Sequence, residues 1–138
     1  MRLYLLRNNT IAEVQAGFNA AFPNLKLEFY KIPHREESMS MEGSRYTDDD
    51  LTLGEIGKLP EGGIHLDFEP TDTVWSLEKK MADQAMLYVQ VFRKGVNGVW
   101  LATSTTDDWT LEKQNNKGAE SAAGPQDTTE ITDYHEQE

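Results

Sequence analysis

The sequence predicts an α+β fold: a mostly antiparallel sheet with two main helices on one face. Three observations carry that expectation. The phrase DD-x-TL occurs twice, at residues 49–53 and 107–111. Two stretches that open on Thr followed by a β-branched aliphatic, from Thr10 and from Thr73, show helical apolar spacing and then turn extended. Strand-like runs flank both stretches in the same order. The recurrence of the same elements in the same order reads as a tandem duplication of a βαββ unit. The expected halves are 1–60 and 61–117, together one α+β domain, followed by an acidic tail at 118–138.

Each element has a local reason. RLYLL near the start reads as a strand. Ile11, Val14, Phe18 and Phe22 then fall at i, i+3, i+7 and i+11, one face of an amphipathic helix. Thr10 with Glu13 forms a capping box, in which each residue satisfies a backbone donor of the other. Pro23-Asn24 ends that helix, and LKLEFYK (25–31) is extended. In the second half, Glu61-Gly62-Gly63 is a link, IHLDF (64–68) a strand and Thr73 an N-cap. Val74, Leu77, Met81 and Ala85 repeat the helical spacing, and LYVQVFR (87–93) is extended. Asn97-Gly98 between Val-rich runs is a strong hairpin signal, since both residues tolerate positive φ. The first half is longer by about five residues, which the segment PHREES (33–38) accounts for in place of the turn KGVNGV (94–99).

The repeated phrase is expected to start a short helical turn. Asp50 and Asp108 would accept backbone N–H bonds there and favour the positive helix end. Leu51 or Trp109, with Leu53 or Leu111, would tuck the turn against the core.

Composition narrows the function classes. Thirteen basic residues stand against 24 acidic ones, a net charge of −11. Nucleic acid and anionic membranes require a concentrated basic patch, and the dense basic spots are only Lys79-Lys80 and Arg93-Lys94. Neither partner is expected. Residues 115–138 carry one lysine against six carboxylates. Such a polar segment cannot bury enough apolar surface to offset its ordering entropy, so disorder is expected. No apolar run approaches the roughly 20 residues of a membrane helix, and MRLYLLRNN lacks the apolar stretch and cleavage site of a signal peptide. Cysteine is absent, which removes disulfides, thiolate catalysis and Cys-based metal sites. The expected location is cytoplasmic.

Catalytic motifs are missing: no phosphate loop, nucleophile elbow, zinc helix or dinucleotide fingerprint. No cofactor is expected. His65, Asp67 and Glu69 share one strand face and invite a metal, but alternation with Ile64, Leu66 and Phe68 alone produces that pattern. Asp49, Asp50, Asp107 and Asp108 would suit Ca²⁺ or Mg²⁺ if they converged, although the Ca²⁺-loop pattern is absent. A small-molecule-binding or divalent-cation-dependent enzyme built on either set is the alternative reading. His34, Glu36 and Glu37 fall in the long loop and His135 in the tail.

The second hairpin carries the most informative pattern. A two- or four-residue loop around Asn97-Gly98 puts Leu87, Val89, Val91, Trp100 and Ala102 on one face. Tyr88, Gln90, Phe92, Val99, Leu101 and Thr103 share the other. Tyr88, Phe92 and Leu101, with Tyr30 from the first half, then form an amphipathic patch. A non-catalytic binding module acting through that patch, on a protein partner or a second copy, is the expected function.

Overall fold

The computed structural model describes residues 1–33 and 41–122. Its elements are β1 (Arg2–Leu5), α1 (Ile11–Ala21), β2 (Leu25–Tyr30), α2 (Leu53–Ile56), β3 (Ile64–Asp67), α3 (Val74–Ala85), β4 (Tyr88–Lys94), β5 (Trp100–Ala102) and α4 (Leu111–Ala122), with short 3-10 turns between some of them. The fold is α+β and its sheets are antiparallel, as the sequence predicts. The strands divide into two sheets rather than one: β1 pairs with β3, and β2, β4 and β5 form a second sheet in that order. No helix among the described residues is long and apolar enough to cross a membrane.

Helix starts follow the capping chemistry. The Thr10 hydroxyl accepts from the Glu13 N–H at 3.1 Å, and the Glu13 carboxylate accepts from the Thr10 N–H at 3.0 Å. The Thr73 hydroxyl accepts from the Ser76 N–H at 3.1 Å. These bonds satisfy donors that the first helical turn leaves without intrahelical partners.

The repeated phrase supplies the remaining partners. Ile11 and Ala12 donate their N–H groups to the carbonyls of Leu51 and Asp49, at 2.9 and 3.0 Å. Val74 and Trp75 donate to Trp109 and Asp107, at 3.0 and 2.8 Å. Return bonds run from Leu53 to Asn9 and from Leu111 to Asp72, at 2.8 and 2.9 Å. A single antiparallel bridge joins Thr10 to Thr52 and another joins Thr73 to Thr110. DD-x-TL is thus a clasp at the start of α1 and again at the start of α3. Its side-chain roles differ from the sequence expectation. Asp50 and Asp108 do not cap the following turns; Thr52 stands at the N-cap of the first without a side-chain cap bond, and the Thr110 hydroxyl caps the second. The Thr52 N–H donates to the Glu55 carboxylate at 2.8 Å, and the Thr110 hydroxyl accepts from the Lys113 N–H at 3.1 Å.

The two segments expected to be repeats differ after the third element. β4 continues through a turn into β5, whereas β2 meets its successor at one bridge, Tyr30 to Arg45. The expected second strand of the first unit is therefore not formed among the described residues. The outer edge of β2 is covered instead by side chains of α1 and by the Tyr46 backbone. Asn19 Nδ2 donates to Leu25 O and Gln15 Nε2 to Leu27 O, each at 2.8 Å, and the Tyr46 N–H donates to Phe29 O at 2.9 Å. A strand edge that would otherwise template aggregation is closed.

One core joins the layers. Leu25, Leu27 and Phe29 of β2, with Val89 and Val91 of β4, face Ile11, Val14 and Phe18 of α1 and Val74, Leu77 and Met81 of α3. Leu5 and Leu66 bring the two-stranded sheet into the same cluster.

α4 packs on β4 as a third helix and corrects the expected tail boundary. Residues 118–122 are helical, and residues 123–138 lie outside the described part of the chain. Leu111, Gln114, Gly118 and Ser121 form the buried stripe of α4. Gln114 accepts from Arg93 Nη1 at 3.0 Å and donates to the Thr106 carbonyl and hydroxyl, each at 2.8 Å. A Cβ at Gly118 would stand 2.8 Å from Asn24 Cβ and 3.0 Å from Asn24 O. Gly118→Ala is therefore expected to destabilise the fold by roughly 1–3 kcal/mol through overpacking, against the helix-propensity gain of about 1 kcal/mol. Urea unfolding of the two proteins measures the difference, and a stabilised variant would show that α4 does not pack here.

Candidate functional site

The hairpin turn decides which side chains reach the surface. β4 and β5 pair Lys94 with Trp100, Arg93 with Leu101 and Phe92 with Ala102, leaving the five residues 95–99 as the loop. Asn97 and Gly98 take positive φ, 61° and 77°, and the Gly95 N–H closes the loop on Val99 O at 2.6 Å. An odd loop shifts the register by one residue relative to an even one, and that exchanges the faces of β5.

Leu101 consequently turns toward the helices with Arg93 and is 1 % exposed. It does not belong to the surface patch. Trp100 and Ala102 take its place beside Phe92. Tyr88 and Phe92 stand on the open face as expected, half-buried. Tyr30 pairs with Tyr88 on that face but is 4 % exposed, so it supports the surface without offering contact area. Cations line the same face. The Lys26 ammonium lies 5.1 Å from the Trp100 ring centroid and 5.8 Å from that of Phe92, and Lys94 lies 5.7 Å from Trp100. Glu28 pairs with Lys26 at 3.1 Å and with Arg45 at 3.7 Å.

The other sequence candidates are engaged elsewhere. On the outer face of the two-stranded sheet, the His65 ring stacks on Tyr4 at 4.2 Å and Asp67 accepts from Arg2 Nε at 2.6 Å. Glu69 faces the amino terminus at 3.5 Å. These three residues do not converge into a ligand set. Among the described residues, Asp48, Asp49 and Asp50 alone bring ligand atoms within 4.8 Å of one another as a group of three, and all are exposed. Asp107 and Asp108 stand with the other clasp and do not join them. His34, Glu36, Glu37 and His135 lie outside the described residues.

Two carboxyls are held below their ordinary range at the surface. Glu13 is lowered by the Thr10 N–H, and Asp67 by its bond to Arg2. Glu78 moves the other way. It sits on the inner stripe of α3, 8 % exposed, and its Oε2 accepts from the Val91 N–H at 3.2 Å. Burial pushes its carboxyl up to about 8; the Val91 bond opposes that shift and the charge of Asp107 adds to it. Glu78 lines a cleft of about 210 Å³ between α3 and β4, with Trp75 and Tyr88 beside it. Sequence reasoning passed over Glu78, although the signal was present. It falls four residues after Val74 and three before Met81, on the apolar face of the helix.

No family model, curated protein or solved structure matches the chain.

The Glu78 shift has a definite sign. Its folded value lies above the ordinary 4.5, so between those two values the folded chain keeps a proton that the unfolded chain has released. The stabilisation is fully present below pH 4.5 and is lost as the pH rises to about 8, at about 1.4 kcal/mol per pH unit. Glu13 and Asp67 are shifted downward and titrate below that window. Glu78→Gln removes the slope. Its stability relative to the parent is expected to rise by roughly 3 kcal/mol between about pH 5 and about pH 8, read from denaturant titrations across that range. Parallel pH profiles for the two proteins would mean that Glu78 is ionised in the fold.

Proposed function

We propose that this chain is a non-catalytic binding module that docks an acidic, partly apolar segment of a protein partner on the open face of the three-stranded sheet. One observation carries the reading. Phe92 and Trp100 stand side by side, half-buried, with the ammonium of Lys26 near both rings and that of Lys94 near Trp100. Aromatic rings give large contact area at low entropy cost and dominate interface energetics. In a chain of net charge −11, a face with two lysines among aromatics is a local reversal of sign. Such a reversal favours a partner presenting carboxylates and speeds its encounter. Asn19, Gln15 and the Tyr46 backbone close the β2 edge of the sheet beneath, and the clasps fix the helices behind it. A preorganised face loses little freedom on binding. The cysteine-free composition accords with a cytoplasmic location.

Peptide display tests this reading. Libraries selected on the parent protein are expected to enrich peptides that combine Asp or Glu with an apolar residue. Their affinity should fall at least tenfold with Phe92→Asp or Lys26→Glu and should weaken as salt rises. Peptides that bind the parent and both variants equally would place the contact elsewhere and defeat the proposal.

A further inference from the structure

The cleft between α3 and β4 lies to the side of that face and has a different chemistry. Pro33, Trp75, Tyr88 and Val89 give it apolar walls, Glu78 is its buried polar group and Lys79 stands at its rim. Trp75 is 54 % exposed, a large ring left at the mouth of a cleft. Phe29 pairs with Val89 and gives its carbonyl to Tyr46 on the outer side of β2. By the alternation of an antiparallel ladder, Val89 therefore turns its own backbone carbonyl away from β2, toward the cleft side.

We propose that this cleft binds a quaternary ammonium group, with the rings of Trp75 and Tyr88 as walls and the Glu78 carboxyl as counter-charge. Aromatic faces attract cations through the ring quadrupole, and alkylated ammonium ions are the cations this arrangement suits best. They are weakly hydrated and require no ring of hydrogen-bond acceptors. The cleft supplies no such ring: one Glu78 oxygen is already bonded to the Val91 N–H. No lysine or arginine among the described residues pairs with Glu78. The nearby charges are accounted for. Lys79 is held by Asp83 at 2.9 Å, with its ammonium 5.9 Å from the Trp75 ring centroid. Asp107 opposes ionisation of Glu78 and would be offset by an entering cation.

Binding exchanges one charge for another. The Glu78 carboxyl releases its proton to solvent as the ammonium enters, so the charge within the cleft is unchanged. Affinity should then rise about tenfold per pH unit until the carboxyl ionises unaided, near pH 8.

Choline is the probe and 3,3-dimethylbutan-1-ol its neutral isostere. Each is titrated into the whole chain while the Trp75 indole and Val91 amide signals are followed by NMR. Choline is expected to shift both signals, with a dissociation constant falling about tenfold from about pH 6 to about pH 7. The isostere should bind at least tenfold more weakly. Glu78→Gln keeps an acceptor for the Val91 N–H, so the fold is retained; it should weaken choline at least tenfold and abolish the pH dependence. Trp75→Ala, an exposed position, should also weaken binding. Absence of shifts, equal binding of choline and the isostere, or unchanged choline binding by Glu78→Gln would each overturn the proposal. None of these results depends on the sheet face carrying Phe92 and Trp100.

Discussion

The backbone bonds between each DD-x-TL turn and the start of a main helix hold the rest of the structure in place. The first N–H groups of a helix have no partners within it. Here the turn carbonyls of Asp49 and Leu51 accept from α1, and those of Asp107 and Trp109 accept from α3. Neither clasp forms between neighbours in sequence, so each ties distant segments together. Leu53 and Leu111, both fully buried, come directly after and anchor α2 and α4 in the core. With both helix starts fixed, the apolar stripes of α1 and α3 meet the inner faces of β2 and β4 in one arrangement. The phrase is repeated because the same problem, satisfying a helix start at a strand-to-helix corner, is solved twice.

The surface chemistry stems from two smaller decisions. The five-residue turn of the β4–β5 hairpin sends Trp100 outward and Leu101 inward. An even turn would do the reverse and place an indole against Arg93 and the helices. The second decision is the placement of Glu78 on an otherwise apolar helix stripe. Its carboxyl reaches the Val91 N–H at 3.2 Å, a donor that β5 leaves without a partner while Thr103 serves the Val91 carbonyl. Burying a carboxyl to satisfy one edge amide costs more than burying an amide or an apolar group. That cost is what makes Glu78 stand out among the acidic residues of this chain.

The legibility of the fold tracks the kind of force involved. α1 and α3 were readable because their apolar residues recur at helical spacing and their threonine caps are local. β2 and β4 were readable as extended apolar runs. α4 was not, because its inner stripe is Leu111, Gln114, Gly118 and Ser121. Gln114 is buried through bonds to Arg93 and Thr106, and Gly118 by close approach to Asn24, neither of which hydrophobic periodicity can register. The separation into two sheets depends on tertiary packing and left no local mark. The site was half legible. Tyr88 and Phe92 stand where alternation put them. Leu101 was misplaced because Asn97-Gly98 signals a turn without fixing whether its length is odd or even. Tyr30 was misjudged because alternation gives a face but not what lies over it.

Hydroxyl-radical footprinting tests the central claim, that Trp100 rather than Leu101 joins Phe92 on the open sheet face. Each residue's oxidation rate in the folded chain is compared with its own rate after unfolding. Substantial modification of Trp100 and Phe92 and strong protection of Leu101 are expected. Protection of Trp100 together with ready oxidation of Leu101 would mean that the hairpin has the other register, and the proposed binding face would fall with it.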